Sequence, residues 1–128
     1  MMPSGELEDW LCETGDVVVR KRAAGSPLSS REQLLYEIWL LYIEARNGGL
    51  SQYFCNRGLE QWQRCVSAAS AGGITSFQPF ASRVDEMIAG ANDPYLALIE
   101  RGQDGDDLYY EHETGIVDEL RAKYSTVA

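Results

Sequence analysis

The residues most able to do chemistry in this chain are carboxylates. Asp104, Asp106, Asp107, Glu111, Glu113, Asp118 and Glu119 follow one another with no Lys or Arg among them, and Asp85 and Glu86 lie upstream. Three chemistries are open to such a set. With the only histidine, His112, a Glu/His/Glu cluster could bind a metal, but neighbouring residues on a helix point different ways and would need distant partners. A calcium loop starting at Asp104 fails, because its glycine is misplaced and Gly115 stands where the bidentate Glu belongs. The third use is the presentation of charge. Carboxylates four residues apart on a helix are separated by roughly 6 Å of rise, which is on the scale of phosphate spacing along a nucleic-acid strand. Such a line could meet a protein that grips DNA with Lys and Arg. It could equally be a solvated face that confers solubility.

Catalysis has little else to stand on. Cys12, Cys55 or Cys65 with His112 matches no hydrolase motif, and there is no GxSxG, phosphate loop or HExxH. No catalytic residue, metal site or cofactor is expected. The net charge of −9 argues against direct binding to nucleic acid. It is unevenly spread: residues 1 to 84 hold nine acids and eight bases, whereas residues 85 to 119 hold eleven acids and only Arg101 as a base. Met1–Glu6 has neither a basic nor an apolar leader region, and no stretch is long and apolar enough to span a bilayer. With three cysteines lacking CxxC spacing, a cytoplasmic protein with reduced thiols is expected.

The elements that must position these acids read as helices. At 128 residues the chain suits one domain, 1–128, with 1–4 and 125–128 flexible. Residues 6–22 carry a helical stripe (Leu7, Trp10, Leu11, Val17, Val18) with acids early and bases late. Ser29 with Glu32 forms a capping-box pattern for an apolar helix over 30–46, around which the rest should pack. Asn47-Gly48-Gly49 should end it, and Ser51 should cap a short turn that returns Tyr53 and Phe54 to the core. Further helices are expected over 58–71, 76–89, 94–100 and 107–124, the last bending at Gly115. The fold class is all-α, with six or seven helices around the central apolar one.

The run Glu44-Ala45-Arg46-Asn47-Gly48-Gly49-Leu50-Ser51-Gln52-Tyr53-Phe54-Cys55-Asn56 resembles the N-G-G-F-x-Q-(F/Y)-F-x-N signature of a family of small bacterial all-helical proteins that includes the DMP-type DNA mimics. Leu50 stands where the signature has Phe and keeps an apolar anchor. The likeness spans residues 29–124. Asn47, Gly48, Gly49, Gln52, Tyr53, Phe54 and Asn56 read as structural residues of a turn and its caps.

That resemblance implies an acidic, dimeric, non-enzymatic protein whose carboxylates occupy the DNA-binding face of a basic DNA-binding protein such as a transcription factor. Asp85, Glu86, Asp104, Asp106, Asp107, Glu111, Glu113, Asp118 and Glu119 would be its contact surface. An immunity-type inhibitor covering the basic groove of a nuclease or other toxin would use the same acids. A small enzyme built on His112 is the reading from a different class.

Overall fold

Ser29 and Glu32 set the start of the longest helix. The Ser29 hydroxyl accepts from the Glu32 amide at 3.1 Å, and the Glu32 carboxylate accepts from the Ser29 amide at 2.9 Å. Both are N–H groups that a helix start leaves without intrahelical partners. Lys21 also donates to Glu32, at 2.8 Å, so the same carboxylate ties the end of the preceding helix to the start of this one. Its carboxyl is held down at about 2, first by the Lys21 hydrogen bond and then by the Ser29 amide.

The computed structural model describes residues 4–126, and the chain is helical throughout with no strand among them. The elements are α1 (Ser4–Ala23), α2 (Ser30–Ala71), α3 (Phe77–Ile88), α4 (Pro94–Glu100) and α5 (Asp104–Thr126). Of the flexible ends expected at 1–4 and 125–128, residues 1–3 and 127–128 lie outside the described residues, while 4, 125 and 126 belong to helices. There are five helices rather than six or seven. The second of them, residues 30–71, joins helical limbs across kinks at Gly48 and Gly49 and again at Gly58, where the backbone leaves helical geometry, so the break expected at Asn47-Gly48-Gly49 lies inside it. A second departure is at α5, which starts at Asp104 rather than 107 and runs through Gly115. Asp104, Asp106 and Asp107 therefore occupy its first turn, where the helix dipole favours negative charge.

Helix α2 touches each of the other four helices. Before the unwinding it buries Leu34, Leu35, Ile38, Leu41 and Ala45; after it, Leu50, Tyr53, Phe54 and Trp62. Trp62, 1% exposed, is the hub of an aromatic cluster, with Tyr53, Phe54, Phe77 and Phe80 at 5.7–6.3 Å between ring centroids. The Tyr53 and Phe80 pairs are edge-to-face, a geometry that adds about 0.5–1.5 kcal/mol each beyond the burial of area. From α1, Leu7, Leu11 and Val18 enter the same core, and Gly15 lets the helix approach closely: a Cβ there would meet the Trp39 ring at 2.8 Å.

The unwinding at Gly49 has a specific cause. Its φ of 87° and ψ of 172° belong to a region essentially reserved for glycine. A Cβ would also lie 2.5 Å from Asp106 Oδ1, the atom that accepts from the Leu50 amide at 2.8 Å. Gly49→Ala should therefore destabilise the protein by about 1–3 kcal/mol. A lowered urea midpoint with an unchanged slope is the expected reading, and an unchanged midpoint would refute this account of the junction.

Candidate acidic interface

The structure divides the nine candidate acids into two groups. Four accept hydrogen bonds from elsewhere in the chain. Asp106 fixes the Leu50 amide, as above. Asp85 accepts from the Trp62 indole N–H at 2.9 Å, which satisfies the one polar atom of the aromatic hub. Glu119 accepts from the Ser76 amide at 2.8 Å, the Ser76 hydroxyl at 2.7 Å and the Thr75 hydroxyl at 2.9 Å. It thereby supplies from α5 the cap that Ser76 does not itself give to α3. Burial works against ionisation of Glu119, but the Ser76 and Thr75 donors outweigh it and hold its carboxyl below the ordinary value.

Glu113 is the clearest correction to the contact surface expected from sequence. It is buried, receives the Arg46 guanidinium at 2.9 and 2.7 Å in bidentate fashion, and accepts from the Tyr109 hydroxyl at 3.0 Å. A partner cannot reach it. The reason is geometric: its position turns it onto the same side of α5 as the buried Tyr109, Ile116 and Leu120.

The remaining five face solvent. Glu86 lies 3.5 Å from Arg83 with both side chains largely exposed, a pairing worth little in water. Asp104, Asp107, Glu111 and Asp118 are exposed, and their carboxylates make no hydrogen bond or ion pair among the described residues. Intervals of three, four and seven residues bring them back to one side of a 3.6-residue helix. Arg83 and Arg101 border the same shallow depression, about 210 Å³, as Asp104, Asp107 and Glu111. The stretch that reads as free of bases in sequence therefore has two guanidiniums beside it in space.

Sequence reading missed a second line. Glu6, Asp9 and Glu13 on α1 repeat the three-and-four spacing and are exposed. The signal was present in that spacing. Helix α1 packs alongside α5: the Trp10 ring meets the Tyr124 ring at 5.9 Å, and Arg46 bridges Glu8 of α1, at 3.3 Å, to Glu113 of α5. Two adjacent helices thus each carry a solvent-facing acidic line. His112, in contrast, packs its ring against Phe80 with centroids 5.9 Å apart.

The motif residues around the unwound stretch enclose another carboxylate. Glu44, 7% exposed, accepts from Gln52 Nε2 at 2.8 Å, Asn56 Nδ2 at 3.1 Å and Arg57 Nε at 2.9 Å. Glu44 precedes Gly48 and Gly49, whereas its three donors follow them, so the carboxylate staples the two limbs of α2 across the break. Burial opposes its ionisation, yet the Gln52, Asn56 and Arg57 donors together bring its carboxyl below the ordinary value. Tyr53 and Phe54 sit in the core, and Asn47 is exposed.

Glu32, Glu44 and Glu119 are thus all more acidic folded than unfolded. Their stabilisation is complete above the ordinary carboxylate value of 4.5 and is lost as pH falls through the depressed folded values, about 2 for Glu32. The urea midpoint should fall steadily below about pH 4.5. Glu119→Gln should flatten that fall, whereas Asp118→Asn should leave its shape unaltered.

Comparison with known proteins gives one match. The DMP19-like protein family model matches residues 26–127, which is most of the chain and includes the Glu44 staple, the Gly49 junction and the whole acidic line on α5. No curated protein and no solved structure matches. The chain belongs to the DMP19-like protein family.

Proposed function

We propose that the protein is a non-enzymatic DNA mimic that covers the DNA-binding surface of a basic DNA-binding protein. The observation that carries this reading is the line Asp104, Asp107, Glu111 and Asp118, four solvent-facing carboxylates on one side of α5 with no bond among the described residues. Membership of a family named for DMP-type proteins supports it. Asp104 and Asp107 also suit the start of their helix, but Glu111 gains nothing from that end. Asp107 and Glu111 are like charges four apart, which costs a few tenths of a kcal/mol. A cost accepted on an exposed face is what an interaction surface leaves behind.

Partner recognition would follow from charge. A DNA-binding face carries Lys and Arg at positions set by phosphates, and a helix-borne line of carboxylates offers those cations equivalent counter-charges. Glu6, Asp9 and Glu13 on α1 extend the surface towards the width of a duplex, since packed helices lie about 8–10 Å apart. Helix-borne acids need no induced order, so association would be fast and steered by the field of the whole acidic molecule. The partner is expected in the cytoplasm, where DNA is its competitor.

The test is capture of basic DNA-binding proteins on immobilised protein at low salt, followed by competition with duplex DNA. Duplex DNA should displace the captured protein. The quadruple substitution Asp104→Asn, Asp107→Asn, Glu111→Gln and Asp118→Asn should weaken binding by about 100-fold while leaving the thermal midpoint within a few degrees. Removing Arg83 and Arg101 should tighten it. Failure of DNA to compete, with unchanged affinity in the quadruple variant, would dismiss mimicry. Capture of a nuclease through the same acids would move the reading to an inhibitor of that enzyme.

A further inference from the structure

Among the described residues three glutamates are buried, and two of them are met by a cation. Glu44 is met by Arg57 and Glu113 by Arg46. Glu37, the most deeply buried at 1% exposed, is met only by neutral amides: Gln33 Nε2 at 2.8 Å and Gln61 Nε2 across from it on the second limb of α2. Among the described residues it forms no ion pair. A buried carboxylate without a counter-charge is costly, and amides offset less of that cost than a guanidinium does.

Glu37 also forms part of the wall of a cleft of about 810 Å³, which lies between the end of α1 and the two limbs of α2. Gln61 is the element of that wall able to move. Its side chain is half-exposed, and its Oε1 accepts from the exposed Arg64 at 3.0 Å, so rotation of one side chain opens Glu37 to the cleft. A second unmet group lies close by: the hydroxyl of fully buried Tyr53 has no hydrogen-bond partner, and it stands within electrostatic reach of Glu37.

We propose that this cleft is a binding site for a small guanidinium or ammonium ligand, whose cation replaces the Gln61 amide on Glu37. Burial decides the sign of the ligand's charge. Arg22 and Arg64 on the rim are exposed and keep their hydration, and Arg22 rests 4.6 Å from the Tyr36 ring centroid. Little is gained by neutralising them. Glu37 has lost its hydration, so a cation brought to it recovers the most free energy. The net charge of −9 favours entry of that cation. The two arginines would then receive a carboxylate or phosphate on the same molecule, which favours arginine-like compounds over simple amines. The site is formed by α1 and α2 and shares no residue with the acidic line on α5, so either proposal can fail while the other stands.

The side-chain amide resonances of Gln33 and Gln61 report on the site directly. They should shift on titration with arginine, agmatine or methylguanidine, and remain still with propionate. Glu37→Gln keeps the shape and removes the charge; it should retain the native circular dichroism and weaken binding about tenfold or more. Gln61→Arg supplies the cation within the chain, and should raise the thermal midpoint while abolishing binding. If only an arginine-containing peptide binds, and Glu37→Gln removes that binding, the cation comes from a protein side chain and the assignment of Glu37 holds. No binding of any probe at millimolar concentration, or binding undiminished in Glu37→Gln, overturns the proposal. So does a lowered midpoint in Gln61→Arg together with undiminished binding.

Discussion

One guanidinium holds three helices in register. Arg46 leaves α2 just before its unwound stretch, pairs in bidentate fashion with buried Glu113 on α5 and reaches Glu8 on α1. It also lies over the rings of Tyr42 and Tyr110, 5.7 and 5.4 Å from their centroids. Its proton is held more firmly than in an ordinary arginine, first by the Glu113 hydrogen bonds. A carboxylate as buried as Glu113 needs such a charged partner to offset its lost hydration. Because planar fork-to-fork geometry admits little error, α5 cannot slide along α2 without losing that partner. The orientation of the acidic line on α5 is therefore set from the inside.

The helical class was legible because it rests on local rules. Ser29 with Glu32, and Asp93 with Pro94, carry their cap geometry within three residues, and both caps are formed. The division of the acids was not legible, because it depends on partners far away in sequence. Asp106 finds the Leu50 amide 56 residues away, Glu113 finds Arg46 67 residues away, and Glu119 finds Ser76 43 residues away. Nothing in the local pattern separates Asp106 from Asp107. The count of helices turns on the glycines of α2: they read as stops, and the backbone does leave the helix at Gly48, Gly49 and Gly58, but the limbs on either side, stapled by Glu44, run on as one element.

The charge of the chain is spent in two currencies. Interior carboxylates act as caps and staples, each matched to donors on another element, and they make the fold specific as much as stable. Exposed carboxylates are left unmatched, and they define the surface that another molecule meets. The residues that separate the two sets are apolar, notably Leu108, Ile116 and Leu120, which alternate around α5 with the acids. Loss of any interior acid would therefore disturb the outer set through geometry.

The family match begins at residue 26, after α1 has ended. Helix α1 lies outside the matched residues and is laid against α2 and α5, joined by the short stretch 24–29, exposed but for half-buried Leu28, and held by Leu7, Leu11, Val18, the Lys21–Glu32 pair and Arg46. Burial of three aliphatic side chains yields about 5–9 kcal/mol, much of which is offset by the entropy of ordering the helix. As a free peptide such a segment would associate weakly. The stretch 24–29 converts that encounter into an intramolecular one at an effective concentration of order millimolar. Cleavage there would leave every contact intact and still release the helix on dilution. The protein would then lose, along with the helix, one of its two acidic lines and one wall of the cleft over Glu37.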